Sequence, residues 1–234
     1  MASLIETRGL TRHFGGLKAV DGVDFALAPG EIHGLIGPNG AGKTTFVSLL
    51  SGRLPAQSGT ILLAGEDITR LPAHARVRKG IAYTFQITSI FPRLTVFDNV
   101  ALAVQSQGAA DLAAKTRAAL ARVGLEGLEE QEAETLSYGH QRLLELAMGL
   151  ALNPQLLILD EPTQGLAASE IEGFKTLVRG LVPETTVLLI EHNMEVVMDL
   201  ATRITVLTFG RVLATGTPAE IRANPAVQEA YLGA

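Results

Sequence analysis

The sequence predicts an α/β fold built on a parallel sheet, and three observations carry that reading. Short, nearly unbroken apolar runs recur at residues 31–37, 156–159 and 185–190, the pattern of strands buried on both faces. A glycine-rich loop, GPNGAGKT at residues 37–44, joins the first of these runs to a helical segment. Between residues 87 and 155 the strand pattern gives way to helix formers and then returns.

In chain order, roughly the first 35 residues read as strands with turns. LKAVDGVDFAL (17–27) partly alternates, Pro29 and Gly30 signal a turn, and EIHGLIG (31–37) is a short apolar strand. TTFVSLLSG (44–52) reads as a helix closing on Gly52, and SGTILLAGED (58–67) as one further strand. ADLAAKTRAALARVG (110–124) and HQRLLELAMGLALN (140–153) are rich in helix formers. Strand patterns resume at LLILDEP (156–162), TTVLLIEH (185–192) and RITVLTFGRVLATG (203–216), with helices between them. The expectation is one nucleotide-binding core interrupted by a mostly helical lobe, with no linker composition dividing the chain.

Composition removes several function classes. Hydrophobic residues are 47% of the 234, and mean hydropathy is +0.27, high enough to leave apolar surface for a partner. No apolar run reaches the roughly 18–20 residues of a membrane span. The N-terminus lacks the basic stretch and apolar core of a secretory signal. Cysteine is absent, which excludes disulfides, thiolate metal sites and cysteine nucleophiles and fits a reducing compartment. The net charge of −5 is spread along the chain, so no basic block suits nucleic acid. No histidines or acids stand at zinc-ligand spacing on a helix. A cytoplasmic α/β protein fits all of this.

The loop matches G-x-x-x-x-G-K-[ST] at every fixed position. Its glycines let backbone N–H groups approach phosphates, and the helix N-terminus adds a favourable dipole. Gly37, Pro38, Asn39, Gly40, Ala41, Gly42, Lys43, Thr44 and Thr45 are thus the expected nucleotide-binding residues. Lys43 would bridge the β- and γ-phosphates and the Thr44 hydroxyl would ligate Mg²⁺. In LLILDEP the strand ends in Asp160 and Glu161. A carboxylate there holds Mg²⁺ or caps the next helix; beside a phosphate loop the first reading is favoured, with Glu161 as general base.

Gln86 and His192 follow predicted strands, where neutral polar groups orient a water or touch a γ-phosphate, or simply face solvent. His13, His33 and His74 have no such setting and read as structural. LSYGHQ (136–141) runs into a helix, with Ser137 a plausible N-cap and Gly139 leaving N–H groups uncovered. Local chemistry alone makes it a capped helix as readily as an anion site.

The order of these motifs resembles the nucleotide-binding subunits of ABC transporters over about residues 4–232. The resemblance implies a P-loop NTPase core of the ABC ATPase type, with an antiparallel β portion and an inserted helical subdomain. It implies a single ATP-binding domain over residues 1–234, with core 1–86 and 156–234 and the helical subdomain at about 87–155. ATP and Mg²⁺ are the implied cofactors. In that family two cassettes face head to tail. Ser137 and Gly139 would then contact the γ-phosphate held by the opposite chain. Gln86 would be the Q-loop residue, reaching the Mg²⁺ site, and His192 the switch histidine. Phe14 stands where the family places a ring against adenine, although core packing explains a lone Phe there equally well.

Two departures matter. Tyr138 and His140 replace a glycine and a glutamine of the LSGGQ motif, and Ala167 stands where most relatives have an aspartate. FGGLKAVDGV, TFQ, LSYG, GLA and the ending GTPAEIRANPAVQEAYLG look like the importers of branched-chain amino acids. That group includes carriers of other amino acids, urea and small organic acids, and a nearer rival is the lipopolysaccharide-export cassette. Implied partners are two transmembrane permease subunits, a second ATP-binding subunit and, indirectly, an extracytoplasmic solute-binding protein. The implied location is peripheral, on the cytoplasmic face of the inner membrane. Ile90, Phe91 and Leu94 would meet a permease helix, or pack in the core. A soluble ABC ATPase of translation or DNA repair is the rival from another class.

Overall fold

The computed structural model describes residues 3–84, 88–108 and 110–232, the last by its backbone alone. Strands β1 (Ile5–Phe14), β2 (Leu17–Leu27), β4 (Ser58–Leu63) and β5 (Glu66–Asp67) form an antiparallel sheet in the order β2-β1-β4-β5. The predicted single strand over residues 58–67 is thus two strands. Ala64 and Gly65 both take positive φ (48° and 84°), which folds the chain back on itself.

The second sheet has six strands. They are β3 (Ile32–Ile36), β6 (Ile81–Thr84), β7 (Leu156–Asp160), β8 (Thr186–Ile190), β9 (Arg203–Thr208) and β10 (Arg211–Gly216). Their order is β10-β9-β3-β8-β7-β6, parallel except for the β9–β10 hairpin. All five residues of β3, β7 and β8 are buried. Alternation explains their unbroken apolar runs: Leu157, Leu159, Val187 and Leu189 face one core, whereas Leu156, Ile158, Leu188 and Ile190 face another.

The second of those cores lies between the two sheets. It holds Ile5, Val23, Leu27 and Ile61 with Phe46, Leu49 and Leu50 of α1 (Lys43–Leu50). Behind α1, α2 (Ala73–Arg78) brings in Arg76, which is 1% exposed. Its guanidinium donates to Leu49 O and Leu50 O at 2.6 and 2.8 Å, and to Leu71 O and Thr69 O at 2.9 Å each. A cation on the C-terminal carbonyls of a helix is favourably placed.

The first core covers the opposite face of the six-stranded sheet. It takes in α3 (Val96–Ser106), α4 (Leu112–Arg122), α5 (Tyr138–Leu150) and α6 (Ala168–Arg179). Val96, Val100, Leu120, Leu144 and Ala147 share it with Leu157 and Leu159, so the helical segment and the sheet have one continuous interior. Thr95 caps α3 by accepting from Asp98 N at 3.0 Å, and buried Asn99 clasps both backbone groups of Phe91. Phe91 itself is exposed and Ile90 packs on the core edge. Helices α7 (Met194–Leu200), α8 (Pro218–Ala223) and α9 (Pro225–Leu232) close the β9 end of the sheet. Among the described residues no helix is long and apolar enough to cross a membrane.

Candidate nucleotide site

The glycine-rich loop leaves β3 and enters α1, as its sequence predicts. Gly37, Gly40 and Gly42 take φ of 153°, 78° and 101°. A side chain at Gly37 would meet the Leu207 carbonyl, and one at Gly42 the Ala19 carbonyl. Glycine is therefore required at both on two counts, conformation and space. The loop opens on a cleft of about 690 Å³ lined by Leu17, Ala19, Asn39, Gly40, Ala41, Gly42, Lys43, Thr44, Thr45, Glu161, Gln164 and His192. Nearly every residue expected from the loop motif therefore faces one space, with Glu161 and His192 across from it.

Lys43 is buried and folds back over the loop, donating to Gly37 O at 2.6 Å and Pro38 O at 3.1 Å. Burial lowers its affinity for the proton, and nearby Glu161 and Asp160 oppose that. Asp160 ends β7 at 3% exposure and accepts a short hydrogen bond from the Tyr83 hydroxyl. Burial pushes the Asp160 carboxyl up, and the charge of Glu161 adds to this. Tyr83 is raised as well, by burial and then by its bond to Asp160. The Arg53 guanidinium lies 4.0 Å from the Tyr83 ring centroid. Thr44 is exposed to the cleft, whereas Asp160 is not among the cleft-lining residues; both carry oxygen donors of the kind Mg²⁺ takes.

Glu161 has φ 51°, and its N–H donates to Ile190 O at 2.8 Å. That conformation is rare for a residue with a side chain and marks functional loops. The Nε2 of His192 lies 2.6 Å from Glu161 Oε1, with His192 about half exposed. Sequence reasoning did not single out Glu191, which organises both. Its buried carboxylate accepts from Thr163 N (2.8 Å), Thr163 Oγ1 (2.6 Å), His192 N (3.1 Å) and Asn193 N (3.4 Å). An acid closing a buried apolar strand was the one signal available. Tyr231 was also missed: its hydroxyl accepts from the Gly37 N–H, and burial pushes it up to about 12.

Gln86 lies outside the described residues. Ser137 and Gly139 sit apart from the cleft, at the N-terminus of α5. Ser137 caps that helix, its hydroxyl accepting from His140 N at 3.2 Å. A side chain at Gly139 would run into the Glu170 carboxylate, which accepts from Ala167 N at 2.7 Å. The Tyr138 ring covers Gly165, where an added Cβ would lie 2.9 Å from it, and Arg142 stands 5.5 Å over the same ring. Phe14 is 44% exposed at the β1–β2 hairpin tip, with Arg12 5.0 Å from its centroid; Leu17 and Ala19 of that hairpin line the cleft.

Residues 20–164 match the family model described as ABC transporter, and residues 211–234 match that of the branched-chain amino acid ATP-binding cassette transporter. The chain is 40% identical to the high-affinity branched-chain amino acid transport ATP-binding protein BraF of Pseudomonas aeruginosa, over 98% of each chain. It is 41% identical to LivG of Escherichia coli, of the same description and coverage. The lipopolysaccharide export system ATP-binding protein LptB of Escherichia coli is 36% identical, over 100% of this chain and 98% of LptB. Among solved structures, a nucleotide-free ATP-binding cassette from an ABC transporter superposes with TM-score 0.90 at 27% identity, covering 99% and 100% of the two chains. An ADP-bound cassette gives the same TM-score and identity with full coverage of both. The chain belongs to the ABC transporter family, as one of its ATP-binding cassettes.

Proposed function

We propose that this chain hydrolyses ATP to drive an importer of branched-chain or related amino acids. Full-length similarity to BraF and LivG, and the family match at the C-terminus, support import over the lipopolysaccharide role of LptB. The observation that carries the chemistry is the facing of Glu161 and His192 across the cleft from Lys43. The loop N–H groups and Lys43 hold the triphosphate, with Lys43 exchanging its backbone carbonyls for the β- and γ-phosphates. Phe14 stacks on adenine. Thr44, Asp160 and Gln86 would hold Mg²⁺, which would supply neutralisation of phosphate charge. Glu161 takes the proton of the attacking water as the bond from the γ-phosphorus to the ADP oxygen breaks. His192 fixes the Glu161 carboxylate and the γ-phosphate.

A second cassette completes the site. Ser137 and Gly139 stand away from their own chain's cleft, which suits contact with a nucleotide held opposite. The helical segment, residues 87–155, carries closure to two permease subunits on the cytoplasmic face of the inner membrane through the loop bearing Phe91. A solute-binding protein delivers cargo on the other side. A Glu161→Gln variant should bind ATP and dimerise but turn over about 100-fold or more slowly. Turnover like that of the unmodified chain would sink the assignment. Loss of labelled leucine uptake on deletion of this chain, restored by the unmodified chain alone, tests the solute.

A further inference from the structure

The β9–β10 hairpin turns through Phe209 and Gly210, both with positive φ (44° and 76°). Two-residue loops of this hand favour Asn-Gly, and a bulky residue there is a conformational outlier. Phe209 is also 87% exposed, more than any other large apolar side chain among the described residues. Neither core packing nor turn chemistry accounts for an aromatic ring at this place.

The backbone of the turn is tied to residues that line the nucleotide cleft. Gly210 N donates to Ala41 O in the phosphate loop at 3.0 Å, and Asp21 N donates to Gly210 O at 2.8 Å. A side chain at Gly210 would lie 2.5 Å from Lys18 O and 2.9 Å from Ala19 O, so the backbone approach is close. Arg211 locks the same corner, its Nη2 2.7 Å from Asp21 Oδ2. Ala19, Ala41 and Leu17 are cleft-lining residues, and Leu17 is 64% exposed. The loop backbone takes the phosphates, so the base must extend past it, where it needs an apolar or aromatic face.

We propose that Phe209 is a nucleotide-contacting residue whose ring, with Leu17, forms a platform for the purine base at the edge of the cleft. This rests on the ATP reading of the cleft. It gives the base a wall on the β9–β10 hairpin in addition to the β1–β2 hairpin that bears Phe14. The ring discriminates by surface alone, so it adds affinity for any purine triphosphate and none for the phosphates.

Phe209→Asn is the suitable variant, because asparagine is at home in this turn and the substitution removes only the ring. Calorimetric titration of the full chain, in EDTA to prevent turnover, compares ATP with inorganic tripolyphosphate. Phe209→Asn should weaken ATP about tenfold and leave tripolyphosphate within about twofold, while Phe209→Trp keeps ATP affinity. The fluorescence of 2-aminopurine riboside triphosphate should be quenched less on Phe209→Asn, where Phe14 alone remains, than on the unmodified chain. Equal losses for both ligands, or no loss for ATP, overturn the proposal. Unchanged ATP affinity with weakened dimerisation also overturns it, by assigning the ring to a second copy. An unmodified chain that binds neither ligand refutes the nucleotide reading itself.

Discussion

Replacing Glu191 by glutamine should separate binding from catalysis in this protein. The native carboxylate is 4% exposed and gathers four donors from two loops, Thr163 N and Oγ1 on Oε1, His192 N and Asn193 N on Oε2. A glutamine amide keeps one acceptor oxygen. If that oxygen stays with Thr163, the NH₂ faces two N–H donors. Two charge-assisted bonds weaken by roughly 1 kcal/mol each and two N–H groups lose their partner at about 1–3 kcal/mol each, with partial exposure near His192 softening the loss. These terms reach about 4–8 kcal/mol for fully buried groups, and solvent access at His192 and Asn193 brings the expected destabilisation to the lower end, about 4 kcal/mol. The two loops carry Glu161 and His192, and a displacement near 1 Å at such groups reduces rate about 100-fold. The hydrogen bonds of Glu191 run to Thr163, His192 and Asn193 and not to Lys43 or the glycine-rich loop, so KM for ATP should move less than about threefold. Steady-state ATPase assays at a temperature where circular dichroism shows the variant folded give the split. A folded Glu191→Gln variant with kcat within about twofold of the unmodified chain would refute a positioning role.

Other outcomes follow from the same structure. Arg76→Ala strips four carbonyls of a buried cation and should lower unfolding stability by about 3–5 kcal/mol in urea titrations, with Arg76→Lys recovering only part; a loss under about 1 kcal/mol contradicts the capping role. Gly139→Ala sets a methyl group against the Glu170 carboxylate, so ATP-driven dimerisation measured by light scattering should weaken while nucleotide binding by the monomer is unchanged. An unaltered dimerisation constant argues against Gly139 as an interface residue. Arg211, hydrogen-bonded beside Asp21, holds that carboxyl at about 2, below its usual 3.8. A depressed acid stabilises above its unfolded value and loses that contribution as pH falls toward the folded one. The gap in thermal midpoint between the unmodified chain and Asp21→Asn should therefore close between about pH 4 and about pH 2, and a constant gap would disprove the link.

The sequence exposed the parts of this protein whose pattern repeats on a short scale. Strands β7 and β8 were legible because burial on both faces leaves no polar interruption, and the phosphate loop because conformation and space together demand glycine at Gly37 and Gly42. Ser137 was readable as a cap because capping is local. What stayed hidden depends on residues far apart in the chain. Glu191 meets Thr163 across 28 positions, and Tyr231 reaches Gly37 from the far C-terminus. No periodicity announces such meetings. The break between β4 and β5 was missed for a different reason: Ala64 adopts a left-handed conformation that its type disfavours, so only Gly65 marked the turn. Tyr138, which looked like a loss from the LSGGQ pattern, proves to be a ring seated on Gly165.

The shared interior of helices and sheet has a mechanical meaning. Asn99 clamps the backbone at Phe91 to α3, and Val96 and Val100 of that helix sit in one packed mass with Leu157 and Leu159, four and two residues before Glu161. Close-packed interiors are nearly incompressible and pass strain along instead of absorbing it. A push on the exposed loop at Phe91 is therefore delivered to the strand that carries Asp160 and its neighbour, as through a stiff lever with no slack at its pivot.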